Sequence, residues 1–514
     1  MNERGRISLR GQAWFLWPLA LRLAAWAFLA HAYEMAVFQD VSWQMLAGQG
    51  VYARFSAWLA GAGDGYFAYP PLYAYMLWLS GWAAAALGGQ WWLHQLLIKA
   101  WLVLADALVM VWLYRKNPAA ARRYWVMWFV PVVAIGQVQP DLWAGLSVAL
   151  ALYAALRGRW WLTGALLALG AGLKVLPLII LPFLAIHLVQ RRRWNALAHV
   201  GVGLAAATTA VWLPYLVLYG DIRFLNDVVR FQATRQPAGL TLVSGVNLLI
   251  EAARGAAMLF GAGTTGTQDA GVTNAGAQLW ALTAGALGGA AVAAVRHRWS
   301  LRRVFCLPLL VFLLTSKVVH EHYLLQVLPL LVVLGVDTRH MGTAYGIYVL
   351  AAGSPLRFFP RELGLPSTLD ALLPAAQQPI VGSIISIGLM VAAGTAAVAF
   401  SWQVLTLIRR FVSPGRDSGP LRRSPRWVSR PTTPGGSVER AAVSVAGSVG
   451  LPQERTRSSP GRGPDPRPAR SRRLPAGTGA ASRPAAGSGR SGDPQQVPTV
   501  SSTTPAARGP IVPP

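Results

Sequence analysis

A single cysteine, Cys306, among 514 residues excludes any disulfide within the chain. Set in an apolar stretch, that thiol reads as a small buried side chain. Acidic residues are also scarce, 19 Asp and Glu against 46 Lys and Arg, and charge of both signs makes up only 13% of the chain. So little charge excludes an ordinary set of soluble domains. No Walker-type phosphate loop, zinc-ligand spacing or internal repeat is found in the sequence.

What fills the chain instead is hydrocarbon. It is 54% hydrophobic and carries 22 Trp, and apolar runs of 15 to 25 residues recur from residue 13 to residue 408. Each run is about long enough to cross a hydrocarbon core of roughly 30 Å as a helix. A helix satisfies its own backbone hydrogen bonds, as lipid requires, and Trp suits the interfacial belts. The expected fold is therefore all-α: a polytopic transmembrane bundle of about twelve spans. The first apolar run, 13–33, has no small-residue cleavage site and reads as a retained helix.

The positive charge sets the orientation. Arg4, Arg6 and Arg10 precede the first run, which places the N-terminus on the cytoplasmic side. Basic clusters at 115–123, 157–159, 191–193, 296–303, 339–340 and 409–410 then fall on the same side if two apolar stretches do not cross. Those stretches, 72–88 and 242–262, read as outer interfacial helices. The first carries Trp78 and Trp82, and the second carries Glu251 and Arg254, which are costly at mid-membrane. Residues 1–411 form the membrane domain, with 34–92 as its first outer loop and interfacial helices. Residues 412–514 are rich in Pro, Gly, Ser and Arg, with 16 Arg against five acids. They read as a disordered basic cytoplasmic tail able to touch anionic lipid.

Under this topology the unusual polar residues collect on the outer face. Asp40 lies in the first outer loop and is either a catalytic carboxylate or a cap for a following helix. The Tyr69-Pro70-Pro71 turn stiffens that loop. Lys174, flanked by apolar residues in GAGLKVLPLII, must meet an anion or reach the membrane surface. Lys317, His320, Glu321 and His322 share one outer turn, SKVVHEHY. On a helix their spacing would aim them in different directions, so no single metal site is expected. Arg223, Arg230 and Arg235 either clamp an anionic head group or are solvated loop charges. Asp106 and Asp141 lie near helices and read as packing or capping groups.

FQDVSWQMLAGQGVY, FAYPPLYAY, GQVQPDLWAGL, GLKVLPLIILPFL and SKVVHEHYLLQVLPLL occur in that order. Together they resemble the polytopic GT-C glycosyltransferases, in particular the bacterial polyprenyl-phosphate-mannose-dependent mannosyltransferases of the family 87 type. The GPI mannosyltransferases are a more distant likeness. The resemblance covers about residues 13–408 and implies a multi-pass plasma-membrane (inner-membrane) enzyme. Its substrates would be a polyprenyl-phosphate sugar donor and a lipid or glycan acceptor. It implies no cofactor and no nucleic-acid partner. The family's essential first-loop Asp maps onto Asp40, which is followed by Val41 and not by a second acid, so a metal-dependent subgroup is not implied. A later outer His maps onto His320 or His322. The chemistry then assigns Asp40 as general base in an inverting transfer. His322, His320 and Lys174 would face the departing phosphate, with Tyr69, Pro70, Glu321, Lys317 and Arg230 binding substrate. A transporter or flippase of lipid-linked sugars is the alternative, and a non-catalytic envelope assembly protein a further one.

Overall fold

The structure, a computed structural model, describes residues 9–53, 67–224, 226–227, 238–260, 275–316, 318–320, 322–351 and 379–413. These form sixteen α-helices. In chain order they begin with α1 (Leu9–Phe28), α2 (Ala32–Leu46), α3 (Pro71–Ala86), α4 (Trp91–Lys116), α5 (Pro118–Trp125) and the short α6 (Phe129–Pro131). A single π turn, Val132–Gly136, leads to α7 (Asp141–Leu156) and α8 (Trp160–Leu173). A 3-10 turn, Leu176–Ile179, precedes α9 (Ile180–Gln190) and α10 (Trp194–Tyr219). Then come α11 (Leu242–Leu259), α12 (Ala275–His297), α13 (Leu301–Thr315), α14 (Tyr323–Val333), α15 (Arg339–Ala351) and α16 (Pro379–Val412).

The all-α expectation holds, with one small addition. Strands β1 (Ala238–Gly239) and β2 (Val318–Val319) pair in parallel. Among the described residues, four helices are long and apolar enough to cross a membrane: α4, α10, α11 and most of α16. Five shorter apolar stretches accompany them, among them α7, α8 and α14. α11 thus qualifies by length and composition, although its Glu251 and Arg254 suggested an interfacial position. Those two residues pair at 2.7 Å on an exposed face, which lowers the cost of keeping them on an apolar helix.

One further expectation is corrected. Residues 34–46 are not loop but belong to α2, whose N-cap is His31, with its Nδ1 accepting from the Glu34 amide. Asp40 therefore lies inside a helix, well past its N-cap His31. Residues 118–125 also form a helix, because Asn117 caps it and Pro118 suits its first position.

Small residues let the helices pack closely where hydrophobic driving force is absent. α8 and α10 meet backbone to backbone: a Cβ on Gly203 would lie 1.8 Å from the Trp161 carbonyl oxygen. α11 and α16 meet through Gly245 and Gly394. α7 and α14 pack against each other and are buried on nearly every side, so they form the centre of the bundle. Cys306 is buried there too, as an apolar side chain.

Asp106 is a packing group, as read from the sequence. Its carboxylate accepts from Arg22 and from the Tyr124 hydroxyl at 2.6 Å. Arg22 also donates to the Trp125 carbonyl at 3.0 Å and stacks 3.9 Å from that ring's centroid. A buried pair needs this full complement of partners to offset desolvation.

The basic helix ends gather at one end of the bundle. Lys116 and Arg157 both lie over the Tyr153 ring, 4.1 and 4.4 Å from its centroid. Arg191, Arg193, Arg302, Arg303 and Arg410 line one cavity beside Leu156. The other end of α7 carries Asp141, about 22 Å away along the helix at its 1.5 Å rise.

Candidate active site

The polar groups at this second end come from four segments of chain. Asp141 opens α7 and is fully buried. Lys174 ends α8 in an extended conformation, its amide still bonded to the Gly170 carbonyl at 2.9 Å. An anion at a helix N-terminus and a cation at a helix C-terminus each sit where the backbone dipole favours them. The two charges meet, with Lys174 Nζ 2.9 Å from Asp141 Oδ2. The anion that Lys174 requires is therefore Asp141, a residue whose sequence reading was only packing or capping.

Gln326 of α14 donates its amide to Asp141 Oδ1. His322, just before α14, places Nε2 4.0 Å from Asp141 Oδ2. Lys174 also lies over two rings, 4.7 Å from the Tyr323 centroid and 5.4 Å from that of Tyr69. An ammonium over aromatic faces gains further electrostatic stabilisation. His320 and His322 stack with ring centroids 5.0 Å apart. The expectation that their spacing would separate them assumed a helix, but His320 follows β2 and His322 is the N-cap of α14, so neither lies within a helix.

Tyr69 is aimed by the Tyr-Pro-Pro turn. Pro70 is the N-cap of α3 and Pro71 its first residue. The Tyr69 hydroxyl donates to Gln139 Oε1, and its carbonyl accepts from the Tyr52 hydroxyl at 2.7 Å. Next to Gln139, Val138 has φ 58, a left-handed conformation that a β-branched side chain seldom takes. Its carbonyl accepts from the Tyr73 hydroxyl at 2.8 Å. Burial, and after it the negative charge of Glu34 and Asp141, pushes the Tyr73 hydroxyl well above the usual tyrosine range, so it stays a donor. Such strain persists where the surroundings over-determine it. Here the strained turn delivers Asp141.

Gly145, one turn after Asp141, completes the arrangement. A Cβ there would lie 2.4 Å from the Leu325 carbonyl oxygen and 3.0 Å from Gln326 Cα. Only glycine lets α14 approach closely enough for Gln326 to reach Asp141. Gly145→Val is expected to lower stability by about 1–3 kcal/mol through overpacking and to lower activity with it. Thermal unfolding beside an activity assay checks both, and unchanged values would detach Gly145 from the site.

Asp40 is half-buried on α2, and the Gln44 amide donates to its Oδ2 at 2.6 Å. Phe38, two residues earlier, packs on Tyr69 and Tyr73 with centroids 5.6 and 5.2 Å apart. Two helical positions amount to about 200° of rotation, so Asp40 lies on a different flank of α2 from Phe38. The cationic cluster is thus organised on Asp141, and Asp40 is held separately by Gln44. Lys317, Glu321, Arg230 and Arg235 lie outside the described residues. Arg223 is exposed and lies 3.9 Å from Asp221.

Residues 67–319 match the family model of glycosyltransferase family 87. The match contains Tyr69, Pro70, Asp141 and Lys174, begins after Asp40 and stops just before His320. No curated protein matches the chain. Over residues 67–319 the chain is therefore similar to glycosyltransferase family 87, and that stretch includes described helices long and apolar enough to cross a membrane.

Proposed function

We propose that this chain is a multi-pass enzyme of the inner (plasma) membrane, with about twelve spans. It moves a sugar, by resemblance mannose, from a polyprenyl-phosphate donor to a lipid or glycan acceptor on the non-cytoplasmic face. The observation that carries the reading is the half-buried Lys174. It is locked to Asp141 beside His322, at the end of α7 away from the gathered arginines.

The acceptor hydroxyl attacks the anomeric carbon, and the bond from that carbon to the phosphate oxygen breaks. The bonding electrons leave with the polyprenyl phosphate, and the hydroxyl proton passes to Asp40. One displacement inverts the anomeric centre. Lys174, His322 and His320 stabilise the growing phosphate charge. Asp141 is a positioning residue, because its two oxygens already hold Lys174 and Gln326. Asp40, half-buried, is the carboxylate better placed to accept a proton. Tyr69 and Pro70 shape the floor, and Lys317, Glu321 and Arg230 contact substrate. No metal or cofactor enters the mechanism, and the other partners are membrane lipids.

The test is incubation of purified protein in detergent with a panel of polyprenyl-phosphate sugars and lipid acceptors. Release of polyprenyl phosphate with transfer of sugar is the expected result. A transporter of lipid-linked sugars would release none without a membrane, and that outcome would overturn the reading.

A further inference from the structure

The cavity at the opposite end of the bundle has no part in this chemistry. Its volume is about 410 Å³, and its arginines come from three separate segments. Arg191 and Arg193 flank the turn between α9 and α10, Arg302 and Arg303 open α13, and Arg410 stands near the end of α16. Membrane orientation requires basic residues on this side, but it does not require five of them around one cavity. Like charges brought together in this way repel one another unless an anion lies between them.

The helix that supplies two of the arginines adds a second argument. α13 has no acidic residue in its first turn, and its N-cap Ser300 makes no side-chain capping bond. Arg302 and Arg303 therefore sit at the positive end of the helix dipole, where cations are unfavourable and anions are bound. Ser300 and Leu301 also line the cavity, and none of the described lining residues is acidic. Leu156, Leu301 and Phe411 interleave apolar surface with the guanidinium groups.

We infer that this cavity binds the phosphate headgroup of an anionic phospholipid of the leaflet opposite the active site. Guanidinium forks suit bidentate phosphate contacts, and the apolar lining suits the start of an acyl chain. Arg410 and Phe411 of the lining stand at the end of α16, a candidate membrane span, and the end of a span is where lipid headgroups lie. The inference is independent of sugar transfer, which its test does not measure.

Purified full-length protein in uncharged detergent is titrated with short-chain phosphatidylglycerol, with phosphatidylcholine of the same chains, and with inorganic phosphate. Bound ligand is counted by native mass spectrometry. Phosphatidylglycerol is expected to bind at least about tenfold more tightly than phosphatidylcholine. Arg302→Gln/Arg303→Gln and Arg193→Gln/Arg410→Gln, on different segments, should each weaken it by about tenfold or more. Arg157→Gln/Arg159→Gln, a basic pair outside the cavity lining, should change it by less than about threefold. The basic tail is common to all variants, so the differences report on the cavity. Equal binding of the two lipids would overturn the inference. So would equal loss in all three variants, or inorganic phosphate binding as tightly as the lipid.

Discussion

Asp40→Asn is expected to lower the turnover number for sugar transfer by about 10²–10⁴-fold, the range for loss of a general base. The substitution keeps the size of the side chain and one oxygen to accept from Gln44, which now donates at 2.6 Å. Asp40 is only half-buried, so stability should change by no more than about 0.5 kcal/mol. The donor's KM should hardly move, because the phosphate end of the donor is held by other groups. Steady-state rates with saturating donor check this, alongside thermal unfolding. Turnover within about threefold of wild type would place the base elsewhere, and Glu34, whose charge reaches Tyr73, would be examined next.

The second large effect belongs to Lys174. Lys174→Gln leaves the fully buried Asp141 without its ammonium. Breaking a buried pair from one side costs about 3–5 kcal/mol. Adding Asp141→Asn removes the stranded charge, so most of that stability should return in the double variant. Activity should not return with it, because the cation at the leaving phosphate is still missing, a loss of about 10²–10³-fold in rate. Chemical denaturation and transfer rates across the four proteins of this cycle separate the two roles. If the double variant recovered activity along with stability, Lys174 would be a packing residue.

The helices were largely legible in the sequence, and the centre of the site was not. Long apolar runs bounded by arginines marked α4, α10 and α16 to within a few residues. α2 was hidden because residues 34–46 mix aromatic, acidic and amide side chains without a long apolar run. Lys174 stood out because a cation among leucines needs an explanation. Its partner did not, because an Asp after Pro140 at the start of a helix looks like an ordinary N-terminal acid. The pairs that give Asp141 its role span 33 and 185 residues of chain. No local pattern encodes such contacts; only the packing of α7 against α8 and α14 creates them. The stacked histidines were misjudged because a helical spacing was assumed, whereas they lie between β2 and the start of α14.

The most direct measurement is equilibrium binding of polyprenyl phosphate to wild type and to the Asp141→Asn/Lys174→Gln protein. The account predicts affinity at least about tenfold weaker in the variant, at a retained unfolding temperature. Equal affinity in the two folded proteins would contradict it.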